Sequence, residues 1–183
     1  MKRKEFMRSA ARACLACAGG SVLGAQTAKP PEQTEQDRKA RNAEKRFKEN
    51  YIRTLMENME KHLDEKTRTN LMEDCGRACA HRGPLFAQAQ KYKGDVRGFV
   101  QDMAKLVGKE NAVLDGDTVR WSYPRCYCEL VAEGPERLPG TYCFCSVGWV
   151  LEMFETVAQK PVRVELLQSV KRGASSCKFL VKL

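Results

Sequence analysis

Between Phe47 and Leu63 apolar side chains recur every third or fourth position, at Phe47, Tyr51, Ile52, Leu55, Met56, Met59 and Leu63, with charged residues filling the gaps. This spacing lines one side of an α-helix of 3.6 residues per turn, so it predicts a long amphipathic helix whose stripe faces a core. Asp64 is a capping residue and opens a second helix, which Gly83 and Pro84 should end. Cys75 and Cys79 lie four apart on that helix and so share one face. A third helix is expected over residues 85–92. A fourth is expected over residues 95–106, where Val96, Phe99, Val100, Met103 and Leu106 repeat the same period.

After Gly108 the period shortens. Asp115-Gly116-Asp117 is a turn signal, and residues 118–123 alternate Val119, Trp121 and Tyr123 with polar partners, as a half-buried strand does. Pro124 interrupts this strand, a further strand is expected over residues 126–131, and the glycines and prolines of residues 132–141 predict a loop. Ser146 then caps a helix whose Val147, Val150, Leu151, Phe154, Val157 and Ala158 form a core face. The chain closes in a hairpin, residues 161–170 and 177–183 around Gly173, with Cys177, Phe179, Val181 and Leu183 on one face. The fold expected is therefore α+β, with N-terminal helices followed by a small antiparallel sheet and one helix packed on it.

Composition changes this picture mainly at the N-terminus. The 183 residues carry a net charge of +9, but residues 1–24 open with Lys2, Arg3, Lys4 and Arg8 and pass through a small-residue stretch to Val22-Leu23-Gly24. They read as an export signal. Residues 3–8 are similar to the twin-arginine motif, with lysine in the place of its second arginine. Removing residues 1–24 takes away five basic side chains and one acidic one and leaves a charge of +5. Residues 25–36 are polar and proline-containing, as a linker is, and residues 37–183 form a single cysteine-rich domain. The expected location is periplasmic or otherwise extracytoplasmic. Basic and acidic residues interleave over residues 38–68, which predicts a solvated helix face and argues against nucleic-acid binding. No apolar run is long enough to span a bilayer, and a homodimer is compatible with the pattern.

Candidate chemistry rests on sulfur. Two of the nine cysteines, Cys14 and Cys17, fall in the signal, and six of the other seven form close pairs: Cys75 with Cys79, Cys126 with Cys128, and Cys143 with Cys145. Thiolates are soft ligands, so these six are the candidate metal ligands, with zinc or an iron–sulfur cluster as the cofactor they suit. The Cys-aromatic-Cys segments 126–128 and 143–145 flank one loop and are expected to converge. In a regular strand the two cysteines of such a pair would point to opposite faces, so a shared role needs a turn or bulge. Cys143 and Cys145 also precede a helix, whose N-terminus favours a thiolate, which makes them the candidate nucleophiles of an enzyme. Export equally permits disulfides. Trp149 and Met153, on the side of their helix away from Phe154, are candidates for lining a small-ligand pocket. His81 is expected to be a helix-end cation, Cys177 a structural core residue, and Asp115 and Asp117 a turn.

Gly148-Trp149, Phe154-Glu155, residues 161–165, Gly173 and Cys177-Lys178-Phe179 resemble the end of 4-vinyl-reductase-like domains. The same close is similar to the L-2-amino-thiazoline-4-carboxylic acid hydrolase-like family. The resemblance covers about the last forty residues. It implies a sensor-like α+β fold that binds small hydrophobic molecules, with zinc in some members held by a glutamate and two cysteines near the hairpin. Glu165 and Cys177 match that set, but Gln168 or Ser169 stands where the second cysteine would be, which moves any metal toward residues 126–145. As a whole the chain looks like an uncharacterised group of exported bacterial cysteine-rich proteins. The function expected is an exported metal- or small-ligand-binding, sensor-like module built on clustered cysteines. The alternatives are a cysteine-dependent hydrolase or thiol oxidoreductase, and a disulfide-stapled structural protein.

Overall fold

A 28-residue helix, α1 (Glu35–His62), opens the described part of the chain. The computed structural model describes residues 34–128, 130–131 and 137–183. Residues 1–24, read as an export signal, most of the linker and the first half of the loop over residues 132–141 lie outside the described residues. Residues 36–183 form one compact unit. The helical half continues with α2 (Glu65–Ala80), α3 (Pro84–Lys91) and α4 (Val96–Val107). Asp64 caps α2 by accepting from the Thr67 N–H at 2.9 Å, and Asp95 caps α4 by accepting from the Gly98 N–H at 2.8 Å. Each carboxylate satisfies a backbone donor that has no partner within the helix. Pro84 starts α3, where its missing N–H and fixed φ cost least.

The second half contains β1 (Ala112–Asp115), β2 (Thr118–Tyr123), α5 (Phe144–Ala158), β3 (Arg163–Gln168) and β4 (Cys177–Lys182). The four strands form one antiparallel sheet in the order β1-β2-β4-β3. This is the α+β architecture expected, helices first and then a small sheet with a helix against it. Gly116 holds φ at 60° in the two-residue turn joining β1 to β2, a conformation that glycine adopts without steric cost. β1 itself was not expected, because its four residues are too few to show a period.

Val119 and Trp121 of β2 stand opposite Val181 and Phe179 of β4 in the register, and α5 covers this face. Phe154 of α5 meets Phe99 of α4 and Trp121 edge-on, with ring centroids 5.6 and 5.7 Å apart. Together with Val150 and Val157 these residues make the main core. Burial of such large side chains supplies about 1.5–3 kcal/mol each, which is why this layer organises the fold.

Three expectations need correction here. The stripe on α1 does not lie wholly in the core: Phe47 and Tyr51 are 73% and 66% exposed and Leu55 is also exposed, while Ile52, Met56 and Met59 face the protein. The stripe is wider than the surface that α1 meets. The described residues of the 126–131 segment do not form a strand, since Pro124 ends β2 and they follow as an irregular loop. Farther along, α5 begins at Phe144 after a 3₁₀ turn, Gly140–Cys143, so Ser146 lies inside the helix and does not cap it.

Helix α5 is held between the sheet and α2. A Cβ on Gly148 would sit 1.8 Å from the Glu73 carbonyl oxygen, and one on Gly76 would sit 1.9 Å from the Cys145 carbonyl oxygen. Both glycines therefore allow two helix backbones to touch. Gly148→Ala is expected to force them apart and lower stability by about 1–3 kcal/mol, the usual cost of overpacking. A urea midpoint equal to that of the wild type would show that the helices tolerate separation.

Away from the main core, Lys171 Nζ lies 3.3 Å from Glu49 Oε1, and both side chains are only 2% exposed. The pair ties α1 to the turn between β3 and β4. Removing one partner leaves a buried charge, so Lys171→Met or Glu49→Leu is expected to cost about 3–5 kcal/mol, and the double variant to recover part of that loss. Thermal melts of the two single variants and the double variant test the coupling, and strictly additive losses would refute it.

Candidate functional site

Each Cys-aromatic-Cys segment leaves regular strand geometry, and that lets both of its sulfurs face the same way. Cys126 and Cys128 lie in the loop after β2, where the intervening Tyr127 turns outward against Tyr123 and beneath the Arg125 guanidinium. Cys143 ends the 3₁₀ turn and Cys145 sits in the first turn of α5. All four line one cavity of about 30 Å³, together with Tyr142, Ser146, Lys171 and Cys177, the last at the start of β4. The expected convergence of the two segments is thus found. Cys177, expected to be purely structural, joins it.

The remaining pair approaches from α2. Cys75 and Cys79 are exposed and stand outside the cavity lining, yet both are near enough to Cys145 for their charges to act on it. The Gly76 contact is the cause, since it sets the α2 backbone against Cys145. All seven cysteines described stand as free thiols.

Hydrogen bonds fix several of the sulfurs. Ser169 Oγ donates to Cys143 Sγ at 3.0 Å, the Val170 N–H donates to Cys177 Sγ at 3.4 Å, and Cys128 Sγ lies 2.9 Å from the Tyr142 hydroxyl. The Lys171 ammonium faces the cavity and the Arg172 guanidinium lies over the Phe144 ring at 5.1 Å. Sequence reasoning passed over Lys171, Glu49 and Tyr142, and met Ser169 only as a residue standing where a cysteine would be. Lys171-Arg172 reads as a solvated turn, and nothing along the chain pairs Lys171 with a glutamate more than a hundred residues earlier.

Electrostatics reverse one expectation. A helix N-terminus should favour thiolates at Cys143 and Cys145, but burial opposes charge more strongly. Burial pushes the Cys145 thiol up to about 12, and the nearby Cys128, Cys79, Cys75 and Cys126 add to the rise. Cys143 is raised by burial too, with the Ser169 hydrogen bond and the charges of Arg172 and Lys171 holding it partly back. Burial likewise raises Cys126, and it lifts Cys177 to about 11. These thiols are neutral near pH 7 and are poor nucleophiles as they stand.

Other candidates fall elsewhere. Met153 is enclosed in the main core and Trp149 packs against that core, and neither lines the cavity. His81 Nε2 lies 2.9 Å from Glu152 and its ring packs 4.1 Å from Phe86, a helix-end contact as expected. Glu165 is exposed on β3, apart from the buried Cys177. Among the described residues no group of three His, Cys, Asp or Glu side chains is already drawn together tightly enough to hold a metal ion. None of the described helices is long and apolar enough to cross a membrane.

A family of unknown function (DUF6144) matches residues 32–183, and the chain belongs to that family. No curated protein matches the sequence.

The raised thiols set a pH dependence for the reduced, metal-free protein. Above the ordinary thiol value of 9.0 the unfolded chain releases protons that folded Cys145 and Cys177 keep until about 12 and about 11. The folded state then binds more protons, so stability is full below about pH 9 and falls as pH rises through the folded values. Urea midpoints between neutral pH and about pH 10 should decline, and in native alkylation Cys75 and Cys79 should react before Cys143. Rapid modification of Cys143 near neutral pH would reinstate it as a nucleophile.

Proposed function

We propose that this member of the family is an exported module that binds a metal ion, or a small ligand of similar size, through its clustered cysteines. One observation carries the reading: five thiols from three separate stretches of chain line one cavity, and the α2 pair stands beside them. Buried cysteines serving only as small hydrophobes have no reason to gather. The cavity, about 30 Å³, has room for an ion or a water and is far below the roughly 300–1,000 Å³ of organic-ligand pockets.

The donor set fits a thiophilic metal such as zinc, or an iron–sulfur cluster. Cys75, Cys79, Cys128 and Cys145 would supply four sulfurs for zinc, with Cys126 and Cys143 as alternative ligands. Closing such a site would require side chains to move, since Cys75 and Cys79 stand outside the cavity lining. A bound cation supplies the positive charge that offsets burial and lets these thiols ionise. Ser169, Lys171 and Arg172 act in the same direction at Cys143. The Cys128 sulfur is positioned by Tyr142, a contact of the kind that orients metal ligands from outside the coordination sphere.

Thiol ligands must lose their protons to bind, so metal uptake releases acid and stabilises the fold. Protein purified anaerobically in its reduced form should contain stoichiometric metal, and a chelator should lower its melting temperature. Zinc added to the stripped protein in weak buffer should release more than one proton per ion. Cys145→Ser should cost more of this stabilisation than Cys177→Ser. Metal-free protein whose melting ignores both chelator and added zinc would overturn the reading, and sensitivity to reductant alone would favour disulfides.

A further inference from the structure

The smaller of the two cores is unusually rich in sulfur. Met56 and Met72 are buried in it, Met59 packs against it, and Cys126, Cys128 and Cys145 belong to the same cluster. Six of its eleven side chains carry sulfur, whereas the main core is built largely from aromatic and β-branched residues. Met72 lies three residues before Cys75 on α2, so the thioether and that thiol stand on adjoining turns of one face. Met56 and Met59 arrive from α1, which brings a second source of thioethers into the same cluster as Cys126, Cys128 and Cys145.

Thioethers discriminate between metals. They are soft, neutral donors with no proton to lose, and together with thiolates they select cuprous ion, whereas zinc sites are built from thiolates, imidazoles and carboxylates. We propose that the site takes cuprous ion, with the Cys128 and Cys145 thiolates and at least one thioether from Met56, Met59 or Met72 as ligands. The proposal rests on the thiolate-metal reading above and narrows it to one class of ion. Binding breaks two S–H bonds and forms two copper–thiolate bonds. The two protons pass to solvent, the thioether contributes a lone pair, and copper remains monovalent, so no oxidant or reductant is consumed. A monovalent ion also suits a site that most of the solvent does not reach, because two thiolates leave only one net negative charge.

The test uses full-length reduced protein titrated anaerobically with cuprous ion supplied as its bicinchoninate complex, and in parallel with zinc. Methionine and leucine exchange with little disturbance of packing, so Met56→Leu/Met59→Leu/Met72→Leu is expected to fold. It should lose cuprous affinity by about tenfold or more, the scale seen when a metal site loses supporting contacts, while its zinc affinity stays close to that of the wild type. Selenomethionine-labelled wild-type protein gives a second measurement that no variant can confound: selenium-edge absorption of the copper-loaded form should show a copper neighbour. Equal cuprous affinity in the wild type and the triple variant, or selenium without a copper neighbour, would overturn the proposal while leaving zinc binding intact. Loss of both zinc and cuprous binding in the wild type would instead bring down the thiolate-metal reading itself.

Discussion

The contact between α2 and α5 at Gly76 and Gly148 is the constraint on which the rest of the structure depends. A methyl group at either position would overlap a carbonyl of the opposite helix, so only glycine permits the approach. Backbone proximity of this kind does two things at once. It places Cys75 and Cys79 beside Cys145, and it holds α5 so that Val150, Phe154 and Val157 meet the sheet. A sulfur-rich surface and an apolar one therefore occupy opposite sides of the same helix, and strain on one is passed to the other through a packed interior with little free volume.

Charge in the sulfur-rich region is governed by competition between burial and compensation. Removing thiols from water raises their pKa, and the hydroxyl, ammonium and guanidinium groups near Cys143 recover only part of that rise. The same argument applies on a larger scale to Lys171 and Glu49, which remain buried because each offsets the other. α1 packs Ile52, Met56 and Met59 in one cluster with Cys126, Cys128 and Cys145 and pairs Glu49 with Lys171, so the helix that was expected to be an ordinary core element also borders the cysteine-rich region. Its outward ridge of Phe47, Tyr51 and Leu55 shows that this packing uses only one edge of the apolar stripe.

How much could be read along the chain follows from the range of the forces involved. The helix cap at Asp64, the turn at Gly116 and the alternation in β2 are set by neighbours a few residues away, and each was legible. The supposed strand over residues 126–131 failed because alternation of Cys-Tyr-Cys looks the same whether it arises from a pleat or from a loop that turns its aromatic residue outward. The meeting of the two Cys-aromatic-Cys segments was anticipated from the shared loop between them. The ionisation of their thiols was not, since helix position is visible in sequence while desolvation is a property of everything packed around the group.

By itself, the sequence determined the order of the helices, the strands β2, β3 and β4, the α+β class and the set of sulfurs available for chemistry, because periodicity, capping and residue type are local. Tertiary structure alone decided that Cys177 joins the cavity, that Met153 belongs to the core, that Lys171 finds Glu49, and that methionine thioethers from α1 and α2 share one cluster with three of the cysteines. Each of these depends on segments far apart in the chain. Their meeting is fixed by close packing around Gly76 and Gly148, an interaction that leaves no period or motif in either helix when it is read alone.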